Sequence, residues 1–230
     1  MGQMISYKRP DGKTVPGYLA EPKMAPGARG MVVIQEWWGL NDQINGVADK
    51  LAGEGYRALV PDLYRGKVTL DRKEAKHLMT GLNFADAAGQ DVRGAVEYLK
   101  LASPKVGVTG FCMGGALTIL SAVLVPEANA TVCWYGYPPL DYVDASKIKA
   151  PMMGHFAIDD VPFPIAKVDA LEKKLRDAGV KFEFYRYKAK HAFAKETLVG
   201  KNVLPNAEYS PDNARLAWQR TLEFLDKSLK

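Results

Sequence analysis

The chain has 230 residues, 47% of them hydrophobic and 25% charged, which suits one globular domain spanning 1–230 and excludes a disordered or low-complexity protein. Its formal net charge is +5, but the lysines and arginines are dispersed with no basic run, so no nucleic-acid partner is expected and only a mild preference for anionic ligands remains. No segment is long and apolar enough to cross a bilayer, the first residues lack the apolar core of a secretory leader, and Cys112 and Cys133 both sit in or beside apolar stretches, so a cytoplasmic protein with reduced thiols is expected.

Along the chain, Ile5 to Arg9 and Val15 to Glu21 flank the turn Pro10-Asp11-Gly12-Lys13 and predict an antiparallel hairpin at a sheet edge. Met31 to Gln35 is a continuous apolar run too short for a helix, as expected of a parallel strand buried on both faces. Asn41-Asp42 then opens a segment with Ile44, Val47, Ala48, Leu51 and Ala52 at helical spacing, closed by Gly53 and Gly55, and Arg57 to Val60 is the next strand. The alternation continues with a helix over Ala87 to Leu101, a strand at Lys105 to Thr109 and an apolar helix over Ala116 to Val125. Thr131 to Tyr135, Ala150 to Ala157 and Phe182 to Tyr187 read as strands, with helices at Ile165 to Ala178 and Asn213 to Leu229. Such alternation predicts an α/β fold with a mainly parallel central sheet and helices on both faces. The less regular stretches, Arg65 to Gly89 and Leu198 to Ser210, are where loops over a site are expected.

Gly110-Phe111-Cys112-Met113-Gly114 follows a strand and opens a helix, the context of a nucleophile elbow with cysteine in the place of serine. Glycines two residues either side relieve crowding around a strained turn, and the helix N-terminus favours negative charge on the sulfur. A dinucleotide fingerprint is a poorer reading, because the glycine spacing is wrong and the next strand ends without an acidic residue. A base and an acid should follow the nucleophile in the chain. His77 lies among charged residues and His155 inside an apolar strand, whereas His191 follows the last strand and is the expected base. The acid is Asp159 or Asp160, both at the C-terminal end of the strand from Met152; spacing alone does not separate them. Glu36 ends the strand from Met31, where such sheets bind ligands, and beside a thiol it can accept the proton or hold the resting sulfur neutral. The backbone N–H groups of Trp37 and Met113 are the expected oxyanion donors, with Trp38 and Phe111 expected to line the substrate pocket.

Taken together, Gln35-Glu36 before an apolar pair and Gly39, Pro61-Asp62-Leu63-Tyr64, Gly110 to Gly115, Tyr135-Gly136 and His191-Ala192-Phe193 resemble the signatures of the dienelactone hydrolase family, the carboxymethylenebutenolidases, over nearly the whole chain. The resemblance implies an α/β-hydrolase fold and hydrolysis of a small, anionic unsaturated lactone or ester through a thiol ester, as a monomer or weak homo-oligomer without metal or cofactor. The family's acid is followed four residues later by proline, as Asp160 is by Pro164, which favours Asp160 over Asp159. Its best-known members hold the substrate carboxylate with two arginines. One of those positions resembles Lys195, and Arg65 or Arg72 stands in the region of the other. On this reading Lys195→Ala should impair anionic substrates selectively. Two other classes are weighed against hydrolysis: a thiol redox or peroxidase-like protein, and a non-catalytic ligand-binding member of the fold. The first lacks a resolving partner near in sequence, since Cys133 lies on a different strand, and the second would not need a nucleophile, base and acid together.

Overall fold

The computed structural model describes residues 2–198 and 206–230. Its first strands, β1 (Gln3–Lys8) and β2 (Thr14–Ala20), form the expected antiparallel hairpin at one edge. They are followed by β3 (Gly30–Ile34), α1 (Asp42–Gly53), β4 (Arg57–Pro61), α2 (Arg72–Gly81), α3 (Phe84–Asp86), a π-helical turn at Ala87–Val92 and α4 (Arg93–Lys100). The second half comprises β5 (Val106–Phe111), α5 (Met113–Leu124), β6 (Ala130–Trp134), β7 (Met152–Ala157), α6 (Ile165–Asp177), β8 (Phe182–Tyr187) and α7 (Pro211–Ser228).

All eight strands join one sheet in the order β1-β2-β4-β3-β5-β6-β7-β8. The pairs β1·β2 and β2·β4 are antiparallel and the other pairs are parallel, so the C-terminal ends of β3, β5, β6, β7 and β8 share one rim. In β3, Met31 and Val33 pack toward the face carrying α1 and α7, while Val32 and Ile34 pack toward the face carrying α4 and α5. This two-sided burial explains why β3 is apolar throughout and does not alternate. Asn41 caps α1 by accepting a hydrogen bond from the Ile44 N–H at 3.2 Å.

Two elements depart from expectation. The stretch Arg65 to Gly89 contains α2, an almost wholly exposed helix that buries only Ala75. Its apolar stripe, Ala75, Leu78 and Met79, is short, and its clearest signal was the Asp71 cap, which accepts from the Glu74 N–H at 2.8 Å. The helix expected over Ala87 to Leu101 begins as a π-turn, so its register shifts midway. Of the loop expected from Leu198 to Ser210, residues 199–205 lie outside the described part of the chain.

Candidate active site

The turn from β5 into α5 forces Cys112 to φ 55° and ψ −115°, a conformation that costs a residue bearing a Cβ of order 1–3 kcal/mol. Neighbouring backbone leaves no room for side chains on either flank. A Cβ on Gly110 would collide with the Gly114 carbonyl, and one on Gly114 with the Ile34 carbonyl of β3. The strain is held by a strand on one side and an almost wholly buried helix on the other, which lifts the half-buried Cys112 above the rim of the sheet.

Four strand ends then supply its neighbours. From the segment after β8, His191 Nε2 stands 3.3 Å from Cys112 Sγ. From the turn after β7, Asp160 Oδ2 stands 2.8 Å from His191 Nδ1, and Asp160 Oδ1 accepts the Phe163 N–H at 2.8 Å. Asp159 is exposed and Asp160 is buried, so only the second carboxylate faces the ring. Phe163 stacks on the imidazole at 5.5 Å and Tyr135 packs edge-on at 5.4 Å, which locks its plane. Neither aromatic figured among the expected site residues; Tyr135 has one detectable signal, its place directly after a strand and before Gly136.

Electrostatics favour a protonated ring. Burial opposes the imidazolium of His191, but the charge on Cys112 and the hydrogen bond to Asp160 outweigh it and push the ring up to about 10. The Tyr135 hydroxyl is held well above its ordinary value by burial and by the negative charges of Glu36, Cys112 and Asp160, so it stays protonated.

Glu36, at the end of β3, is buried, and its carboxylate is paired with the Lys195 ammonium, also buried at 7% exposure. Lys195 therefore belongs to the site, but its charge is already met within the protein, which changes the expectation placed on it. Trp38 is buried and packs edge-on against Trp37 at 5.0 Å, with the Lys195 ammonium 5.7 Å from its ring. Met113 is the first residue of α5, where a helix leaves its N–H without an internal acceptor, and no acceptor for the Trp37 N–H is found among the described residues.

Three expectations need correction or sharpening. Phe111 points away from the site. It stacks on Trp134 at 5.2 Å and lines a cavity on the α1–α7 face that none of Cys112, His191 and Asp160 touches, because consecutive residues leave a strand on opposite sides. Arg65 is consumed by an ion pair with the buried Asp91 at 2.5 Å. Arg72 instead lines a cavity of about 570 Å³ together with Trp37, Leu70, Asp71, Lys73 and Lys76, three cations and one carboxylate beside one of the expected oxyanion donors. Cys133 is fully buried in β6, and burial pushes its thiol far up, so it is no accessible partner for Cys112.

Comparison with known proteins matches residues 15–229 to the model of the "Dienelactone hydrolase family". "Protein usf" of Aquifex pyrophilus is 35% identical over 240 residues, with 100% of each chain covered. A "Putative carboxymethylenebutenolidase" of Aquifex aeolicus is 32% identical over 241 residues, again with 100% of each covered. Among solved structures, the dienelactone hydrolase-like promiscuous phosphotriesterase P91 from metagenomic libraries superposes with a TM-score of 0.87 at 21% identity, covering 100% of this chain and 99% of that one.

Proposed function

The chain belongs to the dienelactone hydrolase family and is a hydrolase of esters or lactones with the α/β-hydrolase fold, and from that premise we propose that it works through a thiol ester on Cys112. The observation that carries this reading is the unbroken contact from Cys112 Sγ to His191 at 3.3 Å and on to Asp160 at 2.8 Å. With His191 already protonated, Cys112 Sγ attacks the carbonyl carbon as a thiolate. The resulting oxyanion is held by the backbone N–H groups of Trp37 and Met113. His191 then protonates the departing alkoxide oxygen, leaving an acyl group on sulfur, and next takes a proton from the water that hydrolyses the thiol ester. Asp160 holds the ring in the tautomer and plane that these transfers need. Two free thiols, one of them at the site, suit a reducing compartment, and we place the enzyme in the cytoplasm. Acid-quenching the protein during turnover of an aryl acetate should leave an acetyl group on the peptide bearing Cys112 and none on Cys133. Acetylation of another residue, with Cys112 unmodified throughout, would refute the mechanism.

Substrates carrying a carboxylate fit this site better than neutral ones. Arg72, Lys73 and Lys76, against the single carboxylate of Asp71, gather in the cavity beside Trp37, and Arg72 is the better of the two candidate arginines because Arg65 is engaged elsewhere. In this exposed setting the attraction is worth about 1 kcal/mol, or roughly fivefold in kcat/KM. Lys195 behaves differently. Removing it strands the buried Glu36 carboxylate without its partner, which is costly whatever the substrate. Arg72→Ala should therefore slow a carboxylate-bearing ester about fivefold and spare its methyl ester, while Lys195→Ala slows both. Kinetics on such a matched pair decides the matter: selectivity in Lys195→Ala and none in Arg72→Ala would reverse the assignment.

A further inference from the structure

The two backbone donors assigned to the oxyanion, the N–H groups of Trp37 and Met113, lean on one loop. It runs from Asp62 to Thr69, directly after β4. The Leu63 N–H donates to Gln35 Oε1 at 3.2 Å, at the end of β3 and just ahead of Trp37. The Thr69 N–H donates to the Trp38 carbonyl at 3.1 Å, and Gly39 passes so near the Lys67 carbonyl that a Cβ there would collide with it. On the α5 side, the Tyr64 hydroxyl donates to Met113 Sδ at 3.3 Å. The residues flanking the Trp37 N–H, and the residue that bears the second N–H, are therefore braced by the same stretch of chain.

Arg65 holds that stretch in place. Its φ is 55°, with Gly66 beside it at φ 90°, and a residue bearing a Cβ keeps such a backbone only where its surroundings enforce it. The guanidinium does so from two directions. One nitrogen donates to the Asp62 carbonyl and closes the turn on itself, and another pairs with Asp91 Oδ1 at 2.5 Å. Asp91 belongs to the π-helical turn at Ala87–Val92 and is 2% exposed; its second oxygen meets Arg9, from the hairpin turn, at 3.2 Å. A buried carboxylate engaged on both oxygens is a rigid anchor. We propose that Arg65, anchored on Asp91, is a positioning residue that sets the loop against both oxyanion donors. The inference rests on the thiol-ester reading of Cys112, because it concerns the donors that reading employs.

Arg65→Gln tests it. The Arg65 side chain is 40% exposed and Arg9 still holds Asp91 without it, so the fold should survive the change. With the loop released, kcat for an aryl acetate should fall about tenfold to hundredfold, because donors about 1 Å out of place forfeit much of what they supply, while KM stays within about threefold. Alkylation of Cys112 by iodoacetamide separates positioning from general damage. That displacement develops no oxyanion, so its rate in Arg65→Gln should match wild type. Asp91→Asn should lower kcat in the same way, and the double variant should fall no further than the worse single one, since the two residues act as a pair. Wild-type kcat in Arg65→Gln with only a lowered melting temperature would overturn the proposal, as would alkylation that slows as much as turnover does, or losses that multiply in the double variant. Cys112→Ala keeps the two readings apart. If it retains turnover, the thiol ester falls and this inference with it, whereas an inactive Cys112→Ala beside a fully active Arg65→Gln removes this inference alone.

Discussion

Cys112→Ala is expected to lower kcat for an aryl acetate or a small unsaturated lactone by ~10³-fold or more. Alanine cannot form the thiol ester, and what survives is the rate that the oxyanion donors and substrate binding supply by themselves. The fold should tolerate the change, since Cys112 is half-buried and already sits in a backbone conformation that any residue with a Cβ resists equally. Steady-state kinetics beside a thermal melt gives the check. A variant that keeps its melting temperature and more than a tenth of its turnover would show that the sulfur is not the nucleophile.

His191→Ala should lower kcat by ~10²- to 10⁴-fold, as expected on losing a group that moves protons in both halves of the reaction. It should also change how the thiol responds to pH. In the wild type the ring holds its proton up to about 10 because a negatively charged sulfur and Asp160 face it. Alkylation of Cys112 by iodoacetamide should accordingly change in rate as the ring gives up its proton near 10, and His191→Ala, with no ring to titrate there, should lack that change. Asp160→Asn should follow the same direction with a smaller loss, and Asp159→Asn should change little, because its side chain is exposed and the hydrogen bond to His191 belongs to Asp160. An unchanged pH profile in His191→Ala, or a larger loss in Asp159→Asn, would break the assignment of base and acid.

How far the sequence discloses this site depends on the range over which each signal acts. The elbow is legible because all its requirements, from Gly110 to Gly114, lie within one turn. The parallel sheet is legible because β3, β5 and β6 are buried on both faces and are therefore apolar but for Thr109 and Thr131. Asp159 and Asp160 are adjacent, and periodicity has nothing to say about which of two neighbours reaches a histidine 31 residues away at Asp160; only family resemblance favoured the second. The pairing of Glu36 with Lys195 bridges 159 residues and leaves no local trace, so Lys195 read as a free cation for the substrate. Phe111 was misplaced for a different reason. Proximity to Cys112 in the chain says little about which side of the sheet a ring leaves by. Helix α2 went unseen because its stripe of Ala75, Leu78 and Met79 is short and set among charged residues, yet it is the element that brings Arg72 and Lys76 to the cavity beside Trp37.

The wide spacing of the site's parts along the chain bears on biosynthesis as well as catalysis. Cys112 leaves the ribosome long before His191, 79 residues later, and before the Lys195 that meets Glu36 across 159 residues. Until β7 and β8 have docked and carried Asp160 and His191 to the rim, the sulfur has no imidazole beside it and behaves as an ordinary thiol. Long-range parallel pairing is also the slow part of assembling such a sheet. The nascent chain therefore passes its most exposed interval with an unactivated cysteine, poorly disposed to oxidation or to reaction with stray electrophiles. On the proposed mechanism, the activation that His191 gives the sulfur arrives only with the last strands.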